Sequence, residues 1–241
     1  MKKIIKRAIG IILVLVLVLA MAFGIYVNDY YHATHAANNI LTAEQKKAAK
    51  DDQLLVFKPE GQIKAGFIFY PGGKVEYKAY APLLKKLANQ GILCLCPHMP
   101  FNLAVFASDK AEGMQKEYPE VTKWYIGGHS LGGVMASQYA YKHQKDFDGM
   151  IFLASYPTHS FKNSSLKAIT LYGSQDHVLN KKSYQKNKKN FPKQTKEVII
   201  EGGNHGQFAN YGKQSGDGKA AITSLQQQEE TVEAIMQWMK N

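Results

Sequence analysis

The stretch Trp124–Gly133, WYIGGHSLGG, decides how the rest of the chain is read. An apolar run enters a segment in which Gly127, Gly128, Gly132 and Gly133 surround one hydroxyl, that of Ser130. Gly128-His129-Ser130-Leu131-Gly132 has the G-x-S-x-G spacing of a turn that lifts a serine between a strand and a helix. Such a turn needs neighbours without bulk, because its backbone is bent hard. Gly132, Ala136 and Ala140 then recur every four residues, a small-residue stripe that lets the following helix lie close to a sheet. A glycine-rich turn containing a serine is common, so the reading depends on what the other strands deliver.

Those strands alternate with helical patterns. QLLVF and AGFIFYPGG read as short strands ending at Pro and Gly, ILCLCP as a buried strand, and KWYIGG, GMIFLAS, AITLYGS and EVIIEGG as four more strands. Tyr80, Leu83, Leu84 and Leu87 mark one helical face, SLGGVMASQYAYKH a second helix and Ser183 to Asn190 a polar one. Val232, Ile235, Met236 and Met239 mark a closing amphipathic helix, and a further helix is expected inside SDKAEGMQKEYP. This order predicts an α/β fold, a mostly parallel twisted sheet with helices on both faces. In such a sheet each parallel strand delivers its C-terminal loop to one edge, where ligands bind.

Two more strand ends carry chemistry. Asp176 lies in LYGSQDHV, four residues past a strand and beyond the turn residue Gly173. His205 lies in VIIEGGNHGQF, on a glycine-flanked loop after the last strand. Serine, acid and histidine therefore occur in the order Ser130, Asp176, His205, each past its own strand. A serine hydroxyl needs a base to take its proton, and the imidazole needs an acid to fix its tautomer and stabilise its charge. His98, His143, His159 and His177 do not follow the last strand, and Asp148 begins a strand instead of ending one. His129 is read as a structural neighbour. Donors for an oxyanion are expected from the Leu131 N–H and from the loop Pro71-Gly72-Gly73-Lys74, at Gly73 with Lys74 as the alternative.

FYPGGKVEYKAYAPLLKKLA, MPFNLAVF, WYIGGHSLGGVMAS, LYGSQDHV and GGNHGQFANYG, in this order, resemble the α/β-hydrolase superfamily. They are similar in particular to a compact, membrane-anchored bacterial subgroup sometimes called fold-5, over roughly residues 50 to 240. The resemblance implies the hydrolase sheet, Ser130 as nucleophile, His205 as base and Asp176 as orienting acid. Tyr70-Pro71 stands where better-known lipases and esterases often carry His-Gly, a departure that bears on the second oxyanion donor. Only YPTHSFKNSSLK, Tyr156 to Lys167, fills the interval where many relatives place a lid, which is too short for a cap domain. Met99, Phe101, Leu103 and Phe106 are candidates for an acyl pocket or for core packing. YGKQSGDGKA, Tyr211 to Ala220, is expected to flank the site, and has too few acids for a calcium loop.

The chain has 241 residues, enough for one domain of ordinary size with an appendage. After MKKIIKR, residues Ala8 to Val27 form 20 uncharged positions, AIGIILVLVLVLAMAFGIYV. As a helix they span about 30 Å, the thickness of a bilayer core. Residues 1–27 are thus expected to be a single-pass anchor, 28–52 a juxtamembrane connector with a capping box at Thr42 and Gln45, and 53–241 the hydrolase domain. The basic N-terminal flank predicts an extracytoplasmic domain. The A-x-A-like Ala20 and Ala22 leave open a cleaved signal and a secreted product. Of the formal charge of +11, Lys2, Lys3, Lys6 and Arg7 carry four, leaving +7 for the rest. That charge suits anionic surfaces, whereas no nucleic-acid motif appears. Cys94 and Cys96 read as small buried hydrophobes, and His32 and His35 as solvated side chains, so no disulfide, metal or cofactor is expected.

The expected activity is hydrolysis of a small or surface-presented ester through an acyl-Ser130 intermediate. Two rivals are an acyltransferase on the same scaffold and a non-catalytic, surface-tethered binding module.

Overall fold

Among the described residues seven strands form one sheet: β1 (Leu55–Phe57), β2 (Ala65–Tyr70), β3 (Ile92–Cys96), β4 (Trp124–His129), β5 (Gly149–Leu153), β6 (Lys167–Gly173) and β7 (Thr195–Ile200). They lie in the order β1-β3-β2-β4-β5-β6-β7. Only β1 runs antiparallel, pairing Leu55 with Cys96, while every other pair is parallel. The computed structural model giving this arrangement describes residues 2–50 and 54–240. The expected boundary between connector and domain, at 52 and 53, lies outside the described residues.

Strands β2, β3, β4 and β5 are buried along their whole length, as strands covered on both faces must be. One face packs Phe67, Phe69, Cys94 and Ile151 against α4 (Ala81–Asn89) and α7 (Ser224–Lys240), through Leu83, Leu84, Leu87, Ile235 and Trp238. The other packs Ile68, Leu95, Ile126 and Phe152 against α5 (Leu131–Lys142) and the loop after β3. Ala136 and Ala140 of α5 are fully buried, so the small-residue stripe faces the sheet. Cys94 and Cys96 are free and buried, and burial pushes both thiols well up. The edge strand β7 exposes Lys196, Glu197 and Ile199, so this edge is charged.

Residues Tyr31 to Asn241 form one compact unit and Met1 to Tyr30 another. Helix α1 (Lys2–Asn28) carries a stretch, Ile5–Asn28, long and apolar enough to cross a membrane or to act as a signal sequence. The polar segment after it holds more structure than a connector needs. Thr34 caps a short helix, α2 (His35–Ile40), by accepting the Ala37 N–H, and Ala37 and Leu41 are buried in the domain core. The expected capping box is formed at α3 (Ala43–Lys50), where Thr42 and Gln45 exchange side chain-to-backbone hydrogen bonds. Tyr31 pairs with Val75 beside the loop that follows β2.

Two expectations change. SDKAEGMQKEYP holds only one 3₁₀ turn, Met114–Glu117, because Gly113 just before it is left-handed (φ 79°) and stops any helix. The polar helix α6 (Lys181–Asn187) starts two residues early, where Asn180 accepts the Ser183 N–H. Between β5 and β6 stand no helix and no strand. The interval instead tucks Phe161 and Leu166 into the core, and among the described residues it adds no cap domain over the C-terminal edge of the sheet.

Candidate active site

Strand β4 runs directly into Ser130, whose backbone is left-handed at φ 52° and ψ −125°. A non-glycine residue held there costs about 1–3 kcal/mol and persists only where its surroundings over-determine it. They do: the Ser130 N–H donates to the Leu153 carbonyl (2.9 Å), and its own carbonyl accepts the Ser155 hydroxyl (2.7 Å). The glycines are required by contact as well as by bending. A Cβ on Gly128 would sit 2.2 Å from the Tyr70 carbonyl oxygen. One on Gly132 would sit 2.2 Å from the carbonyl oxygens of both Tyr70 and Pro71. The first turn of α5 is therefore pressed against the end of β2.

Asp176 and His205 reach the same edge from the loops after β6 and β7, and both are buried. His205 Nδ1 lies 2.9 Å from Asp176 Oδ2. The second carboxylate oxygen accepts the Val178 and Leu179 N–H groups at 2.9 and 2.8 Å. A carboxylate only accepts, so Nδ1 carries the shared proton, and whenever the imidazole is neutral Nε2 is the nitrogen that bears the lone pair. A base that takes the serine proton must come within about 3.2 Å of Ser130 Oγ, and among the described residues no hydrogen bond joins that atom to His205 Nε2. Such bonds are often long before substrate is bound. Of the histidines set aside, His143 and His159 stack on Tyr139 and Tyr141 instead. Asp148 accepts the Trp124 N–H at the opposite end of β4.

The loop after β2 separates the two candidate oxyanion donors. Gly72 N–H donates to the Tyr80 hydroxyl (2.9 Å), Lys74 N–H to the Asn102 carbonyl (2.8 Å) and Val75 N–H to the Gly72 carbonyl (3.2 Å). Among the described residues the Gly73 and Leu131 N–H groups have no acceptor, and both residues are partly exposed. A Cβ on Gly73 would meet Leu131 Cδ2 at 2.9 Å, so the two residues adjoin. Lys74, the alternative, has its N–H already engaged. Nearby, Met99 and Leu103 are buried, while Phe101 and Phe106 are each about half exposed.

One pair was not foreseen. The buried Tyr80 hydroxyl accepts the Gly72 N–H and lies 2.8 Å from His129 Nδ1, joining the loop after β2 to the serine turn. Burial holds the Tyr80 hydroxyl protonated, so it donates to Nδ1 and leaves the His129 proton on Nε2. The His129 ring stands 4.5 Å from that of His205, centroid to centroid. Burial first, and His205 second, push the His129 pKa well below the usual histidine value. Its Nε2 is buried without a hydrogen-bond partner among the described residues. The sequence signal was a histidine inside the turn, but its tyrosine partner is 49 positions away.

Among the described residues no group of three or more His, Cys, Asp or Glu is placed to hold a metal ion. A depression of about 500 Å³ between α4 and α7, lined by Lys86, Asn89, Glu229 and Met236 among others, includes none of the residues above.

A parallel sheet with a serine on a strained turn after its central strand, and an acid–histidine pair on later loops, defines an α/β-hydrolase fold. The chain belongs to the alpha/beta hydrolase family, whose model matches residues 66–229, more than half its length. Among solved structures it is similar to Est1E from Butyrivibrio proteoclasticus: 14% identity, 78% of this chain and 94% of that one covered, TM-score 0.56. Zea mays acyl-protein thioesterase 2 is similar at 14% identity, 77% and 98% coverage and TM-score 0.57. For a monoacylglycerol lipase of Paleococcus ferrophilus the values are 12%, 77%, 98% and 0.58. At these identities the likeness is one of fold. No curated protein matches the chain.

Proposed function

We propose that this hydrolase is a serine esterase that cleaves small or surface-presented carboxylic esters through an acyl-Ser130 intermediate. The observation that carries the reading is the buried His205–Asp176 hydrogen bond on the edge that also presents Ser130. In the proposed reaction Ser130 Oγ attacks the ester carbonyl carbon and gives its proton to His205 Nε2. The carbonyl oxygen becomes an oxyanion received by the Gly73 and Leu131 N–H groups, donors worth roughly 3 kcal/mol each. Collapse expels the alcohol, which takes the proton from His205. Water then attacks the acyl-serine with His205 as base again, releasing the acid and restoring the Ser130 hydroxyl. Asp176 orients the imidazole and stabilises its charged form. No cofactor takes part. The missing cap domain suits substrates that need no long apolar tunnel. Thioesterase and lipase neighbours on the same fold support ester chemistry by analogy.

The test is a fluorophosphonate probe, which should label the wild type and leave Ser130→Ala unlabelled. A wild type that stays unlabelled rejects the reading. Product analysis with added alcohol separates hydrolysis from acyl transfer. We further propose that α1 is retained as an anchor with the domain outside the cytoplasm, as the basic flank Lys2, Lys3, Lys6 and Arg7 favours. Carbonate washing of membranes should then leave the chain in the pellet, whereas its recovery in the medium would indicate cleavage.

A further inference from the structure

The loop Tyr211–Ala220 follows His205 and is used by no step of the proposed reaction. Its Asp217 is half-buried and makes two long-range bonds. Oδ2 accepts the Gly206 N–H at 2.9 Å, and Oδ1 accepts the His177 N–H at 3.3 Å. Gly206 is the residue directly after His205, and His177 the residue directly after Asp176. One carboxylate thus ties the peptide that follows His205 to the peptide that follows Asp176.

The neighbours of Asp217 tighten the same junction. The Gly218 carbonyl accepts the Asn204 side-chain amide at 2.8 Å, just before His205. A Cβ on Gly218 would lie 2.0 Å from the Gln175 carbonyl oxygen, just before Asp176, so only glycine fits that approach. Gly218 N–H also donates to Asp217 Oδ1 at 2.8 Å, fixing the carboxylate's orientation. A turn aspartate that merely capped its own loop would make this last bond and not the other two, which cross 11 and 40 positions of sequence.

We propose that Asp217 is a positioning residue that holds the Asp176 and His205 loops in register, so that the His205–Asp176 pair keeps the geometry in which the imidazole can serve Ser130. The proposal rests on the serine-esterase reading above. Its reach is indirect: Asp217 touches neither substrate nor the reacting atoms. A loss of aim by about 1 Å costs on the order of 100-fold in rate.

Asp217→Ala removes both bonds, while Asp217→Asn keeps one acceptor oxygen and nearly the same volume. Hydrolysis of p-nitrophenyl acetate by the full chain should show kcat reduced roughly 100-fold in the Ala variant, with the Asn variant between it and wild type and KM unchanged. Proton NMR adds a reading independent of turnover. The low-field Nδ1 proton shared by His205 and Asp176 should be sharp in wild type and broadened or lost in both variants. Should the Ala variant fail to fold, the Asn variant decides alone. Wild-type kcat in the Asn variant, a defect confined to KM, or an unchanged low-field proton overturns the proposal. A wild type inert to the fluorophosphonate probe rejects the esterase reading instead, and the NMR comparison still decides Asp217.

Discussion

His129, one residue before Ser130, is buried and kept neutral, and this has a consequence for stability against pH. Its folded pKa lies below the unfolded value of about 6.5. Below that pH the unfolded chain takes up a proton that the folded chain refuses. The stability this group confers is therefore full above pH ~6.5 and falls on acidification, by about 1.4 kcal/mol per pH unit. Urea midpoints measured from pH 7 to pH 5 should drop less steeply in His129→Gln than in wild type. Equal slopes would mean that His129 is not the proton acceptor. Tyr80→Phe is the companion change. It keeps the ring but leaves the Gly72 N–H and His129 Nδ1 buried without their shared partner, at a cost of about 1–3 kcal/mol. The variant should unfold at lower urea and also lose kcat, because the Gly72 peptide adjoins the proposed Gly73 donor.

At the scale of elements, the joint between β4 and α5 leaves least room for change. Gly132→Ala would drive a methyl into two backbone carbonyls, neither of which can swing away as a side chain would. It should destabilise by about 1–3 kcal/mol or more, seen as a lower urea midpoint, and should lower probe labelling of Ser130. Strands β2 to β5 were legible as buried runs, α4 and α7 by an apolar face, and α5 by its small-residue stripe, while β7, mostly exposed, was legible only as a short apolar stretch ending at glycines. Helix α2 was not, since six residues give no period to read and its docking depends on Ala37 and Leu41 finding a distant core. The helix expected in SDKAEGMQKEYP failed on one glycine whose φ no pattern displays. Within the candidate site, Ser130, Asp176 and His205 drew attention by where their strands end, and the structure brings Asp176 and His205 within hydrogen-bond distance. Tyr80 counted only as one more apolar face residue, because its hydroxyl matters through partners far off in sequence.

Across the whole molecule, the compact unit that begins at Tyr31 sets where the chain can be shortened. Residues 31–241 alone should fold and retain the activity of the full chain on a soluble ester. Removing twelve more residues, to begin at Ala43, discards Leu41 and Ala37, which are 4% and 0% exposed. Losing one such leucine alone costs about 2–5 kcal/mol. The urea midpoint of residues 43–241 should therefore fall well below that of residues 31–241, and equal midpoints would show that the segment adds nothing to the domain.

Tyr31 is also tied on both sides to the loop after β2. Its N–H donates to the Lys74 carbonyl (2.7 Å), and its carbonyl accepts the Glu76 N–H (2.9 Å). Glu76 in turn accepts the Ala33 N–H at 2.7 Å. This strap begins nine residues after Ala22, downstream of any cut a signal peptidase would make there. A tethered copy and a shed copy would thus carry the same fastening beside Gly73. Shedding would change where the protein works and how far it can diffuse, and leave its intrinsic turnover as it was.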